Sequence, residues 1–139
     1  MHAGELLGSV AHRFEWRAEE AGRTLTAEPA DGVTVRADRM RLEQALGNLV
    51  DNALRHGAGT VTLAARPGDG RVSLLVRDEG AGFPAEFIPH AFERFSRADP
   101  SHGSGGAGLG LTIVRAIATA HGGTATASGA EVCIELPSG

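Results

Sequence analysis

Three amide side chains repeat every four residues near the middle of the chain. Gln44, Asn48 and Asn52 would therefore share one face of a helix. Neutral oxygen ligands suit a hard cation such as Mg²⁺, which keeps some waters and takes further oxygens from substrate phosphates. One turn further on, Arg55 and His56 could meet a phosphate and a base. A solvated helix face without a ligand would give the same pattern, and the residues alone leave both interpretations open.

Two glycine-rich segments could bring the backbone close to a ligand. Asp78 follows a predicted strand, where its carboxylate can accept a hydrogen bond from an exocyclic amine, and Gly80 and Gly82 leave room for a ligand. The segment from Gly103 to Leu111 opens directly into a predicted helix, whose free N–H groups attract anions. Turn chemistry would also explain the first segment, and a flexible linker would explain the second.

The elements that must position these residues follow from the spacing of apolar side chains. Apolar residues at helical spacing predict a first helix ending near Ala21, a central helix capped by Asp38 and stopped by Gly57, and a third helix ending at residues 121–123. Alternating residues predict six short strands, at 24–28, 33–37, 60–65, 72–77, 124–128 and 132–136. The long stretch 78–106 is predicted to be irregular, apart from a short helix at 84–91. This order indicates a two-layer α/β sandwich, with helices on one face of a sheet.

Composition excludes several classes of function. All 13 basic residues are arginine, so a P-loop or a Schiff-base lysine is impossible. The single cysteine, Cys133, excludes a disulfide framework and fits a reducing compartment. A net charge of −4 argues against nucleic-acid binding. The chain has no signal-peptide pattern and no apolar run near the roughly 20 residues that cross a bilayer, so we expect no direct membrane contact. Its length predicts one domain, residues 1–139.

Together, the order and spacing of the motifs resemble the catalytic ATP-binding domain of bacterial sensor histidine kinases, from about Leu6 to Pro137. This domain belongs to the ATPase superfamily that includes DNA gyrase, the 90-kilodalton heat-shock chaperone and mismatch-repair ATPases. The matching segments are 38–44 with 48–53 (N box), 78–82 (G1 box), 92–95 (F box) and 106–111 (G2 box). The resemblance implies the Bergerat fold, a mixed, mostly antiparallel five-stranded sheet covered on one face by three helices.

The resemblance also implies ATP and Mg²⁺ as ligands. Asn52 is expected to hold Mg²⁺ with support from Asn48, and Asp78 is expected to select adenine through its N6 amine. Residues 97–107 would form the ATP lid, with Phe92 and Phe95 at its base, and Arg94 would face the phosphates or the acceptor domain. The catalytic residues are then expected to be Asn48, Arg55 and Arg94. The further expected ATP contacts are Arg55, His56, Gly80, Gly82, Phe95, Arg97, Gly106, Ala107, Gly108, Leu109, Gly110 and Leu111.

One position separates the branches of this superfamily. Gyrase-like and chaperone ATPases carry a glutamate base where this chain has Asn48, which cannot take a proton from water. The resemblance therefore implies phosphoryl transfer rather than ATP hydrolysis, so that the task of the site is positioning and charge neutralisation. Ala130 replaces a threonine that often orders water near the adenine, and weaker nucleotide binding is one expected consequence.

The expected partners follow from what the chain lacks. It contains no acceptor-histidine motif, so the resemblance implies a dimerisation and histidine-phosphotransfer domain, in cis or in trans, and a downstream response regulator. It implies a cytoplasmic location, either free or as the cytoplasmic part of a membrane-bound sensor. Two alternatives stay open: a serine kinase of the anti-sigma-factor type, which tends to lack the stretch 92–95, and a module that binds nucleotide without turnover.

Overall fold

A computed structural model describes residues 1–82, 92 and 106–138, which contain three helices and one sheet. The elements are α1 (Ala3–Glu20), β1 (Leu25–Ala27), α2 (Arg39–His56), β2 (Val61–Gly68), β3 (Arg71–Arg77), α3 (Gly106–Ala120), β4 (Thr124–Ser128) and β5 (Glu131–Pro137). The short helix predicted at 84–91 lies outside the described residues. Within the described ranges, no helix combines the length and the apolar character needed to span a bilayer.

The sheet has the strand order β1-β2-β3-β5-β4. Strands β1 and β2 run parallel, and every other neighbouring pair is antiparallel. A parallel pair needs a crossover connection, which α2 supplies between β1 and β2. The hairpin β2–β3 turns at Asp69-Gly70, where Gly70 has a φ of +67° that favours glycine. The mixed, mostly antiparallel five-stranded sheet implied by the resemblance is confirmed.

One hydrophobic core lies between the sheet and the helices. Leu63, Val76 and Val132 stand in register across β2, β3 and β5 and point into it. Helix α2 contributes fully buried leucines such as Leu42 and Leu46, each of which stabilises the fold by about 1.5–3 kcal/mol. All three helices share this single core cluster, so the predicted two-layer sandwich is confirmed.

Two side chains fix the start of α2 and the end of α3. The Asp38 carboxylate accepts a hydrogen bond from the Arg41 N–H at 3.2 Å, which confirms the predicted cap of α2. The Asp38 N–H donates to Nε2 of His121 at 3.1 Å, and Nδ1 of His121 lies 2.8 Å from the Ile117 carbonyl oxygen. Because Nε2 accepts, Nδ1 must carry the ring proton. His121 therefore joins the end of α3 to the start of α2.

The strand predicted at 33–37 is wrong. Thr34 and Val35 make only isolated bridges, to His2 and Ser138 respectively. The Val35 N–H donates to the Met1 carbonyl and the Met1 amino group donates back to the Val35 carbonyl, each at 3.0 Å, so this segment pairs with residues near the two ends of the chain and does not form a strand of the sheet.

Strand β2 is longer than predicted and continues through Pro67 and Gly68. Pro67 lies beyond the part of β2 that pairs with β1, where a missing N–H costs no ladder bond.

Candidate functional site

Asp78 lies directly after β3, beside the loop that follows α2. Its Oδ1 accepts hydrogen bonds from the backbone N–H groups of Gly80, at 2.6 Å, and Ala58, at 3.3 Å. The Asp78 N–H donates to the Ala130 carbonyl at 3.1 Å, a contact that needs no particular side chain at position 130. Among the described residues, none donates a hydrogen bond to Oδ2. The backbone thus orients the carboxylate and leaves one oxygen for another donor.

Three glycines stand where a side chain would collide with this carboxylate or with the backbone beside it. A Cβ at Gly57 would overlap the Asp78 carboxyl group, and one at Gly80 would lie 2.8 Å from Oδ1. Gly57 ends α2 as predicted, but its φ of −92° and ψ of −163° are extended values that other residues also adopt. Glycine is therefore required at this position for space and not for a left-handed turn. Gly82, at φ +78°, has no room for a Cβ against the carbonyl of Gly129.

Residues 57–60 form the loop between α2 and β2, here called the α2–β2 loop, and Glu79 attaches it to the end of β3. The Glu79 N–H donates to the Ala58 carbonyl at 2.8 Å, and the Glu79 carboxylate accepts from the Thr60 N–H at 2.5 Å. Arg23 contacts the same loop at Gly59. Neither Glu79 nor Arg23 was predicted to act in the site, and both bind backbone groups, which leave no residue pattern in the sequence.

The predicted amide face of α2 is present. Gln44 is exposed, whereas Asn48 and Asn52 are half-buried on the same side of the helix. At 1.5 Å per residue, Asn52 and Asn48 lie about 8 Å and 14 Å before Gly57 along the helix axis. Among residues 1–82, 92 and 106–138, no group of three or more His, Cys, Asp or Glu could hold a metal. A cation at this face would therefore use amide, water and phosphate oxygens, which fits Mg²⁺.

Arg55 is held along α2 by Asp51. Its Nε lies 3.1 Å from both carboxylate oxygens, while Nη2 of Arg17 in α1 contacts Oδ1 of the same carboxylate at 2.7 Å. The Arg55 side chain is 57% exposed, so it has space to turn. Asp51 and Asn48 also line an open groove of about 530 Å³ between α1 and α2. His56 is exposed in the last turn of α2.

The G2 segment forms the beginning of α3. Residues 106–110 are helical, and the first four N–H groups of an α-helix have no partner within the helix. The predicted lid, 97–107, therefore overlaps α3 at its last two residues, because the helix begins earlier than its apolar face indicated. Leu111 is 2% exposed and packs in the core, so its side chain supports the helix and is not open to a ligand.

The F box is described only at its first residue. Phe92 is buried, and its carbonyl accepts a hydrogen bond from Oγ1 of Thr112 in α3 at 3.4 Å. Predictions for Arg94, Phe95 and Arg97, and for lid residues 97–105, lie outside the described residues.

Comparison with known proteins gives consistent matches. Residues 37–139 match the family model described as histidine kinase-, DNA gyrase B- and HSP90-like ATPase. The chain is 44% identical over 137 residues to the sensor histidine kinase component HK1 of Mycobacterium tuberculosis, covering 95% of this chain and 79% of that relative. It superposes on the ATP-binding domain of PrrB from the same species with a TM-score of 0.80 at 28% identity, covering 100% of this chain and 96% of that domain.

A longer structure extends this agreement. Full-length ShkA in complex with AMPPNP superposes with a TM-score of 0.81 at 34% identity, covering 99% of this chain but only 30% of ShkA. The family match spans more than half of the sequence, and its boundaries include the amide face of α2, Asp78 and the start of α3. The chain therefore belongs to the histidine kinase-, DNA gyrase B- and HSP90-like ATPase family, as a catalytic ATP-binding domain of the sensor histidine kinase type.

Proposed function

We propose that this chain binds ATP with Mg²⁺ and transfers the γ-phosphoryl group to a histidine on a separate dimerisation and phosphotransfer domain. The observation that carries the proposal is the oriented Asp78 carboxylate, with Oδ1 bound to two backbone N–H groups and Oδ2 available to an amine. Asp78 would accept a hydrogen bond from the adenine N6 amine. Gly80 and Gly82 would let the base approach the backbone, with His56 beside it.

The phosphates would lie between the amide face of α2 and the start of α3. In this proposal Asn52 holds Mg²⁺ with support from Asn48, and the backbone of residues 106–110 binds phosphate oxygens at the helix N-terminus. When bound, Mg²⁺ would neutralise negative charge on the phosphates. Arg55, Arg94 and Arg97 would supply the remaining positive charge, and Phe95 would lie at the base of the lid.

The proposed reaction forms a bond between an imidazole nitrogen of the acceptor and the γ-phosphorus while the bond to the bridging β–γ oxygen breaks, releasing ADP. Asn48 cannot accept a proton, so this chain would orient the reactants and would not activate water. The acceptor histidine would come from a dimerisation and phosphotransfer domain, in cis or in trans. A response regulator would then receive the phosphoryl group, and the proposed site of the reaction is the cytoplasm.

Two measurements test the binding half of the proposal. A fluorescent ATP analogue should bind more tightly with Mg²⁺ than without it. Asp78→Asn should weaken ATP binding about tenfold to a hundredfold, the value of a hydrogen bond to a charged group. Asp69→Asn is the matched control, because Asp69 is an exposed carboxylate in the β2–β3 turn. Equal binding by the two variants would refute the adenine assignment.

The transfer half is tested by mixing the chain with its phosphotransfer domain and γ-labelled ATP. An acid-labile, alkali-stable product on the acceptor supports histidine phosphorylation. An acid-stable product would indicate phosphoserine and the anti-sigma-factor type of kinase. Magnesium-dependent binding without any product would instead indicate a module that binds nucleotide without turnover.

A further inference from the structure

The guanidinium group of Arg23 lies at the end of α2, although Arg23 itself precedes β1. Its Nε donates to the Gly59 carbonyl at 2.6 Å, and Nη1 and Nη2 donate to the carbonyls of Leu54 and Ala53, each at 3.4 Å. Arg23 makes no ion pair with any described acidic residue. Its charge therefore faces the carbonyl end of α2, where the helix dipole favours a cation.

The Gly59 carbonyl belongs to the α2–β2 loop, and the Ala58 N–H of this loop donates a hydrogen bond to Asp78. Within three residues this loop donates to Asp78 through the Ala58 N–H and to Glu79 through the Thr60 N–H, and it accepts from the Glu79 N–H at Ala58. Gly59 has a φ of +65°, so the loop turns sharply between these contacts. Arg23 is the side chain that joins this turn to the end of α2.

We propose that Arg23 is a positioning residue for nucleotide selection, because it fixes the α2–β2 loop and so sets the direction of the Asp78 carboxylate. This inference rests on the proposed role of Asp78 in adenine binding. Of the two bonds to Oδ1, the one from Ala58 is longer, at 3.3 Å against 2.6 Å from Gly80, and it depends on the loop. Without Arg23 the loop moves, the Ala58 bond fails first, and Oδ2 loses its fixed direction.

The loss should affect the choice of base more than the binding of phosphate. Adenine presents an amine where guanine presents a carbonyl, so an oriented carboxylate favours ATP over GTP. Arg23→Gln should lower the ratio of ATP to GTP affinity by about fivefold to tenfold, as expected for one weakened hydrogen bond to a charged group. Arg23→Lys should restore part of that ratio, since an ammonium group can still donate to one carbonyl.

The matched control is Arg36→Gln, because Arg36 is exposed and its side chain has no hydrogen bond or ion pair among the described residues. Affinities of both variants and of the unmodified 139-residue chain for ATP and GTP are measured by displacement of a fluorescent nucleotide.

A role limited to stability would lower the urea midpoint of Arg23→Gln while its ratio of ATP to GTP affinity stayed at the value of the unmodified chain. That result would overturn the proposal. If Arg23→Gln does not fold, the ratio is measured on Arg23→Lys, where a partial fall is expected and an unchanged ratio counts against the proposal.

A second measurement needs no nucleotide. Amide hydrogen exchange at Ala58 and Gly80, followed by NMR, should be faster in Arg23→Gln than in Arg36→Gln, while exchange at the β3–β5 ladder stays the same. Unchanged exchange at both amides would refute the positioning role. If the unmodified chain shows no preference for ATP, the proposed function fails, and the exchange experiment still decides whether Arg23 fixes the loop.

Discussion

Replacing Gly57 with alanine tests the geometry of the site directly. The backbone at Gly57 is extended, at φ −92° and ψ −163°, so alanine is allowed there and the effect is steric. The added methyl group would overlap the carboxyl carbon and both carboxyl oxygens of Asp78. Either the carboxylate or the α2–β2 loop must move, and both movements break the bond between Ala58 and Asp78.

The size of the effect follows from the two bonds to Oδ1. Hydrogen bonds to a charged acceptor contribute about 1.5–3 kcal/mol each when they are well formed and shielded. The bond from Gly80 is short, at 2.6 Å, but the bond from Ala58 is 3.3 Å long and exposed. Because the bond that must break is the long, exposed one from Ala58, we expect Gly57→Ala to lower the free energy of unfolding by about 1 kcal/mol. ATP binding should weaken about tenfold or more, because the adenine acceptor is displaced.

Urea denaturation and nucleotide titration measure these two effects. Gly8→Ala is the control, because Gly8 is an exposed glycine within α1 with nothing near its Cβ position, and it should stabilise the chain by about 0.5–1 kcal/mol. The decisive background is Asp78→Ala, which removes the atoms that the new methyl group would meet. In the Asp78→Ala variant, adding Gly57→Ala should lower the free energy of unfolding by less than about 0.5 kcal/mol. An equal loss of stability from Gly57→Ala in the unmodified chain and in the Asp78→Ala variant would refute the steric explanation.

Three further predictions concern other parts of the chain. His121→Ala should lower the free energy of unfolding by about 1–2 kcal/mol in urea denaturation, because it removes the bonds to Asp38 and Ile117; no loss would show that His121 is not a structural link. Burial raises the pKa of the Cys133 thiol above its ordinary 9.0, so iodoacetamide should modify it more slowly in the folded than in the unfolded chain at mildly alkaline pH. The Cys133 thiol therefore contributes fully to the free energy of unfolding below its pKa in the unfolded chain, and this contribution is lost as the pH rises through its higher pKa in the folded chain. Urea denaturation at a series of alkaline pH values would detect the loss. Asp51→Asn should raise the affinity for ATP with Mg²⁺ by up to about fivefold by releasing Arg55, and an unchanged affinity would contradict that release.

The sequence predicted the elements whose signal is local. Helix α2 runs from Arg39 to His56, as the Asp38 cap, the apolar face and Gly57 indicated, because each of these signals lies within the helix or next to it. The segment 33–37 shows the limit of such reasoning. Val33 and Val35 alternate as a strand would, but their partners lie at the two ends of the chain, and alternation does not identify a partner.

The predictions for the site divide in the same way. Asp78, Asn48 and Asn52 could be proposed because residue type and spacing indicated their chemistry. Arg23 and His121 could not, because their partners are backbone groups 36 and 83 residues away. A side chain that binds a distant carbonyl or N–H group leaves no second residue type to notice.

Because the chain contains no lysine, arginine is the side chain that can supply a permanent positive charge at the phosphates. Arg55 stands where a positive charge is expected at the phosphates, but in the described structure Asp51 holds it. An exposed pair of this kind contributes about 0.2–1 kcal/mol, whereas a hydrogen bond to a charged phosphate contributes about 1.5–3 kcal/mol, so exchange of partners is favourable. Arg17 already contacts the same carboxylate at 2.7 Å, so Asp51 would keep a cationic partner after Arg55 turned away. The pairing seen here is therefore compatible with a phosphate contact, and it makes α1, which contains no predicted site residue, part of the charge balance of the site.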